Sequence, residues 1–374
     1  MVLPKLISID TSVLGDIAKD YYSRNRKRSE KAHQVISHLN SKGYIPLLSF
    51  HHIKEILQYK DDEVVFNRWS LIKKFPTVAW ICSSRDENVL GSIVDLHELE
   101  IKLLLENKND HLERFTNLVK SKYIKYSSGL EFIDHFESLY CQIRDLGMID
   151  IQRGKEIESL THVRSKNVDN TKLSDLFDSR LRTPEETRAF MRQFQSNLVE
   201  SLIQVGDKKL SDPQSVAESF VDEVLVEGEQ LYSSKQPLYE SFVKLAGVRL
   251  DQVTPKTTVG ELGYLGVYNQ KVRQLLYSLG IPEEREVELV PNEQISWVIW
   301  KHMDKAMKSD KRASGSNMED RHMGILALFS DIFTADRRVH EYFRRLSKSE
   351  SSIYAQMGKV VKLSKYSDLE AICS

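Results

Sequence analysis

The 374-residue chain contains no run of about 20 apolar residues, the length a helix needs to cross a bilayer. Its first residues, MVLPKLISID, lack the basic flank and small-residue cleavage site of a secretory signal. These absences predict a cytoplasmic protein without a membrane partner. Cysteine is scarce. Cys82, Cys141 and Cys373 are odd in number, far apart and free of any C-x-x-C pair, so reduced thiols are expected rather than a disulfide framework or a zinc site. Neither sign of charge is in excess. With 53 Lys+Arg against 54 Asp+Glu, the chain lacks the bulk basic character of many nucleic-acid binders, and contact with a polyanion would have to be local. There is no G-x-x-x-x-G-K-[ST] phosphate loop, no nucleophile elbow, no internal repeat and no low-complexity tract.

What the chain does have is four acids in unusual places. Asp10 closes the apolar run Leu6-Ile7-Ser8-Ile9, and Asp336 follows Ile332-Phe333-Thr334 with only Ala335 between. Short apolar runs bounded by polar residues read as buried strands, and a carboxylate at the carboxyl end of such a strand faces the crevice where open α/β sheets bind ligands. Glu55 lies in the helix-period stretch Ile53-Lys54-Glu55-Ile56-Leu57, directly after the strand-like Tyr44-Ile45-Pro46-Leu47-Leu48. Asp320 opens a helix whose start carries Ser316 and Glu319 at capping-box spacing. Each acid alone has an ordinary explanation as a helix cap or a solvated face. The joint pattern is more specific than its parts.

The blocks ISIDTSVL, SFHHIKEIL and MEDRHMGILALFSDIFTADRR together resemble the signature segments of the PIN-domain nucleases. The resemblance covers roughly residues 1–100 and 312–374. It implies an α/β, three-layer PIN-like domain with a mostly parallel central sheet. It carries the catalytic and metal-ligating roles onto Asp10, Glu55, Asp320 and Asp336, with His322 following Asp320. Thr11, Ser12 and Thr334 would orient carboxylates or water from behind. The order of the blocks matches the family, but the gap between the second and third is far longer than in a compact PIN domain. One domain interrupted by a large α-helical insertion accounts for it, because an insertion is tolerated when its ends lie close together. The expected boundaries are 1–105 for the N-terminal part, 106–284 for the insertion and 285–374 for the C-terminal part. Another acidic residue of the insertion, or Asp95 in GSIVDLHELE, could take the place given to Asp320.

Converging carboxylates raise one another's pKa within about 4–6 Å, so a cluster is costly unless a cation neutralises it. Oxygen-only ligands with waters suit Mg²⁺ or Mn²⁺, and such ions support hydrolysis of a phosphodiester. A metal-dependent nuclease is therefore the expected function. RNA is the commoner substrate that the resemblance implies, single-stranded or structured DNA the other, and bacterial toxins and defence or RNA-processing nucleases of the family all fit. Two other readings remain open. One is a catalytically silent PIN-like module that binds nucleic acid or a protein partner through the insertion, or forms a homo-oligomer. The other is a phosphatase with Asp10 as nucleophile, which D-T-S-V supports poorly because haloacid-type phosphatases have a second Asp two residues on.

Two basic segments flank the acids. Arg24, Arg26, Lys27 and Arg28 lie in RNRKRSEK, and Lys301, Lys305, Lys308 and Arg312 recur at helical spacing along a helix expected from about 293 to 312. That helix would bury Ile295, Val298, Ile299 and Met303 and turn the cations outward to a phosphate backbone. Asp331 reads as a helix end or strand start, and His51, His52 and His322 as packing or hydrogen-bonding residues. In the insertion, Phe132, Phe136, Leu139, Ile143 and Leu146 form one apolar stripe. Thr183-Pro184-Glu185-Glu186 marks another helix start, and 164–176 and 205–214 read as loops.

Overall fold

Six short segments form one sheet: β1 (Lys5–Ser8), β2 (Tyr44–Leu48), β3 (Val78–Ile81), β4 (Ile124–Ser127), β5 (Ile332–Ala335) and β6 (Lys359–Lys362). The computed structural model describes residues 4–107, 109–177, 184–233 and 238–373. The architecture is mixed α/β. Every residue of β3 and β5 is buried, and so are three of the four in β1, as expected for strands covered on both faces. Strand order is β4-β3-β2-β1-β5-β6, parallel throughout except for the antiparallel edge pair of β3 with β4. Parallel neighbours need a long crossover. Helices α1 (Thr11–Tyr21) and α2 (Arg26–Ser41) make the one from β1 to β2, and α3 (Phe50–Leu57) and α4 (Asp62–Ile72) the one from β2 to β3. At the end of α2 the chain turns into β2 through Gly43, whose φ of +73° suits a residue without a β-carbon.

From β1 the chain steps outward to β2 and β3 on one side, whereas β5 and β6 lie on the other. The order therefore reverses between β1 and β5, and the crevice beyond the carboxyl ends of these two strands is the place where such sheets bind ligands. The register pairs Ile7 with Ile332 and Ser8 with Phe333, so the residues that follow each strand leave the same edge side by side.

The chain divides into two compact units. One comprises Met1–Ile151, Glu288–Ala306 and Glu319–Ser374, the other Gln152–Val287 and Met307–Met318. The expected boundary at 105/106 is thus corrected. Ile124–Ser127 completes the sheet, and Phe132, Phe136 and Ile143, assigned from sequence to the insertion, pack with Ile7, Trp69 and Trp80 in the core of the first unit. Leu146, placed on the same stripe, is half exposed. The next boundary falls at 287/288, beside the expected 284/285, but the segment 307–318, expected in the C-terminal part, goes with the second unit. That unit contains the helices Pro184–Val205, Pro213–Ser233, Leu238–Leu245 and Val259–Ser278. It has two small cores, one around Leu173, Val243 and Leu262 and one around Val163, Leu198 and Leu202.

The loop expected at 164–176 is largely helical: one helix runs to Asn167 and the next is Leu173–Phe177. The break between Val205 and Pro213 falls where 205–214 reads as loop. A helix opens at Pro184, and Thr183 lies outside the described residues. Among the described residues no helix is long and apolar enough to cross a membrane.

Candidate functional site

Asp10 and Asp336 each sit just past a strand end and cap the helix that follows. Asp10 Oδ1 accepts the backbone N–H of Ser12 at 2.8 Å and also the Ser12 hydroxyl. Asp336 Oδ1 accepts the N–H of Val339 at 2.7 Å at the head of helix Arg337–Ser349. The two strand ends are tied directly, because the Asp10 N–H donates to Thr334 Oγ1 at 2.9 Å across 324 residues of sequence. Capping occupies one oxygen of each carboxylate, and each has a second.

Glu55 reaches the same edge from α3. Burial pushes its carboxyl up to about 7; the Thr11 hydroxyl, which hydrogen-bonds to it, opposes the shift, the charges of Asp10 and Glu319 add to it, and Arg68 opposes it. Glu55 Oε2 is buried without a hydrogen-bond partner, a costly state for a carboxylate oxygen. Arg68, from α4, lies against Gly15 of α1, where a β-carbon would collide with the guanidinium, and it stacks over the Tyr59 ring at 3.7 Å.

Asp320 stands in the first turn of helix Asn317–Met323. Burial raises its pKa well above the usual carboxylate value, Arg338 opposes this, and Glu55, Asp10 and Asp336 raise it further. One side chain thus feels the charge of the other three, and all four acids converge on the carboxyl edge of β1 and β5. Arg338 Nη2 donates to Asp320 Oδ2 at 3.0 Å. Ser8, Asp10, His52, Asp320, Met323, Phe333, Thr334 and Val339 line a tight cleft there, with a free volume of about 10 Å³.

Whether these residues suit a divalent cation rests on their chemistry and on the orphaned oxygen. Among the described residues, no three His, Cys, Asp or Glu side chains stand as a ready-made metal group. The caps on Asp10 and Asp336 and the Arg338 partner of Asp320 each direct one oxygen elsewhere. The donor set is nevertheless all oxygen and acidic, and Glu55 Oε2 has nothing else to bind. This composition fits Mg²⁺ or Mn²⁺.

Beside the four acids lies a second charged group that the sequence reading did not single out. Glu319 directs Oε2 at His51 Nδ1, 2.8 Å away, and Oε1 at Lys54 Nζ, 2.5 Å away. Lys54 also pairs with Asp150 at 2.7 Å. Burial pushes Glu319 upward, but His51 and Lys54 outweigh it and hold the carboxyl down at about 2. Glu319 thus joins an ion-pair group that its place at the helix start does not announce. The available clue was Lys54, a cation within the apolar-rich stretch Ile53–Leu57 of a buried helix, which requires an acid partner. Arg321 pairs with Asp304 deep in the same unit.

The remaining predicted residues have plainer places. His52 accepts or donates at Ser49 Oγ at 3.0 Å and is held neutral, its pKa lowered to about 3 by burial and by His51. The His322 ring stacks on His51 at 5.5 Å. Asp331 precedes β5 and accepts the Leu6 N–H at 2.6 Å, a clasp between β1 and β5. Asp95 completes the capping box of helix Ile93–Glu106 by accepting the N–H of the N-cap Ser92 at 2.8 Å, and also accepts from Ser83 Oγ at 2.7 Å, so it does not replace Asp320.

Arg24, Arg26, Lys27 and Arg28 are all exposed at the start of α2, where Asn25 caps the helix and Arg26 pairs with Glu30 at 2.7 Å. Three cations in a first helical turn run against the helix dipole. The expected helix at 293–312 is shorter, Ile295–Lys308, and buries Ile295, Val298, Ile299 and Met303. Lys305 is exposed and Lys301 half-buried. Lys308 turns instead to Asp169, 3.8 Å away, and to the Tyr264 ring, while Arg312 lies beyond the helix. A continuous stripe of four cations is therefore not formed.

No protein-family model matches the chain, and comparison with curated proteins and with solved structures gives no match.

Proposed function

We propose that the chain is a divalent-metal-dependent nuclease with a PIN-like domain, interrupted by a helical unit, that hydrolyses phosphodiester bonds of nucleic acid in the cytoplasm. One observation carries the reading: Asp320 feels the charges of Asp10, Glu55 and Asp336 at the point where strand order reverses. Acids drawn from residues 10, 55, 320 and 336 converge on one edge, although nothing in folding alone rewards gathering four like charges. The sheet order and the resemblance of the sequence blocks support the same reading.

Asp10, Glu55, Asp320 and Asp336 would hold one or two Mg²⁺ or Mn²⁺ ions. Such an ion supplies Lewis acidity and a more acidic water. The Thr11 hydroxyl aims Glu55, the Ser12 hydroxyl and N–H aim Asp10, and Thr334 fixes the backbone that carries Asp10. In the hydrolysis, the oxygen of water adds to phosphorus, one P–O bond to the sugar breaks, the proton lost by the water passes to a carboxylate, and the departing sugar oxygen takes up a proton from solvent. RNA is the favoured substrate and DNA the second. Arg24, Arg26, Lys27 and Arg28, together with Lys301 and Lys305, provide the phosphate contacts in this reading.

A second reading, a silent PIN-like module that binds nucleic acid or a partner protein, is favoured by one feature: Arg338 already pairs with Asp320. The two readings separate in a single assay. Labelled single-stranded RNA, single-stranded DNA and hairpins are incubated with the purified chain in Mn²⁺ or in excess chelator. Cleavage that requires Mn²⁺ is the expected result. Binding without cleavage under every condition would leave the silent module.

A further inference from the structure

Four acids at one sheet edge need positive charge nearby, and the chain supplies it from an unexpected side chain. Arg338 lies in the first turn of helix Arg337–Ser349, two residues after Asp336. Its Nη2 meets Asp320 Oδ2 at 3.0 Å, with 31% of the arginine side chain and 14% of the aspartate exposed. Among the charges that act most strongly on Asp320, Arg338 is a cation, and Glu55, Asp10 and Asp336 are acids. Compare Glu319, the preceding residue. Both of its oxygens face nitrogen partners, His51 and Lys54. Asp320 has Arg338 on one oxygen and three like charges around it.

Resting on the nuclease reading above, we propose that Arg338 is the built-in counter-ion of the acid cluster and that a divalent cation competes with it for Asp320. The physical argument is one of valence and reach. A guanidinium carries one charge on a long, flexible stem, whereas a divalent ion carries two and can be shared among several carboxylates. The pair is only partly buried, so its rupture does not strand an arginine in an apolar interior; the guanidinium can return to solvent at the cleft. The arrangement also accounts for the absence of a ready-made metal group among the described residues, because Asp320 is turned to its arginine. Arg338 is in these terms a positioning residue: it sets where the Asp320 carboxylate points before metal arrives.

The test is a calorimetric titration of Mn²⁺ into the full chain, alongside Arg338→Ala, Arg338→Gln and Arg338→Lys, with Arg337→Ala as control. Arg337 is the exposed neighbour with the same charge. Arg338→Ala and Arg338→Gln should tighten Mn²⁺ by about tenfold, while Arg338→Lys stays near the parent and Arg337→Ala changes affinity by no more than about twofold. Without metal the two neutral variants should melt below the parent, and saturating Mn²⁺ should close that gap. If Arg338→Ala misfolds, Arg338→Gln, which keeps most of the stem, decides the question. Parent and Arg338→Gln binding Mn²⁺ equally well would overturn the competition and leave the nuclease reading standing. Weaker binding in Arg338→Gln would also overturn it. No binding by any form would overturn both.

Discussion

Glu319 and Asp320 are adjacent in sequence, on the same short helix and in the same charged region, yet their surroundings oppose each other. Glu319 faces His51 and Lys54, and its carboxyl is held down at about 2 in spite of burial. Asp320 faces Glu55, Asp10 and Asp336, and even the partnership of Arg338 leaves its carboxyl well above the usual range. Two neighbouring acids thus show two kinds of burial. In the Glu319 group the protein satisfies every charge from within, as a structural ion-pair network does. Around Asp320 it gathers charge that it does not balance. An imbalance of that kind is tolerated where something from outside completes it, which is why perturbed carboxyls collect at functional sites.

The largest effect expected is on chemistry. Asp10→Asn keeps the cap to Ser12 through its side-chain oxygen but removes one charge from the cluster, so Mn²⁺-dependent cleavage should fall by about 10³-fold or more while the metal-free melting temperature holds or rises. A parallel cleavage and melting series would break the comparison if Asp10→Asn proved unstable yet active, the pattern of a structural acid.

On the structural side, Lys54→Met leaves Glu319 and Asp150 without their shared ammonium. Breaking a buried pair from one side costs about 3–5 kcal/mol, so the melting temperature should drop by roughly 10 °C, with metal affinity affected far less. Denaturant unfolding measures this directly. A loss below about 1 kcal/mol would mean that the network is only a solvated contact.

The pH dependences should run in opposite directions. Glu55, with a folded pKa of about 7 against an ordinary 4.5, adds stability below about 4.5, and that stability is lost as pH rises toward 7. Glu55→Gln should remove this loss, worth up to about 3 kcal/mol at pH 8 in chelator. Glu319 shows the reverse, with stability present above about 4.5 and lost as pH falls toward 2, and Glu319→Gln should flatten that acid limb. Stability curves from pH 3 to 8 for both variants would collapse the distinction if they changed alike.

The smallest effect concerns the surface. Replacing Lys301 and Lys305 with Ala should lower the salt slope of nucleic-acid binding by about 1–2, with similar losses for substrates of different sequence. Lys308→Ala should act on the helical unit instead, through Asp169 and Tyr264, and leave the slope unchanged. Filter binding at several salt concentrations distinguishes the two.

Much of the first unit was legible because its signals are local. Leu6-Ile7-Ser8, Tyr44-Ile45-Pro46-Leu47-Leu48 and Ile332-Phe333-Thr334 are short apolar runs with polar ends, and each is a strand. The acids that follow them were visible for the same reason. What stayed hidden depends on partners far away in the chain. Ile124–Ser127 has the alternating, half-exposed pattern of an edge strand, and only pairing with β3 reveals it. Nothing near Asp320 in the sequence announces Arg338, and nothing near Glu319 announces Lys54, since both pairs form across the fold. The boundary near 105 was placed too early because helices that pack on a sheet and helices of a separate unit have the same periodicity.

The most direct test sets the two neighbours side by side: Mn²⁺-dependent cleavage of labelled RNA and thermal unfolding, measured together for the parent, Asp320→Asn and Glu319→Gln. Asp320→Asn should remain folded and lose cleavage, and Glu319→Gln should melt several degrees lower while still cleaving in proportion to its folded fraction. Asp320→Asn cleaving as well as the parent, or a parent that cleaves nothing in Mn²⁺, would contradict the assignment of the acid cluster as a nuclease site.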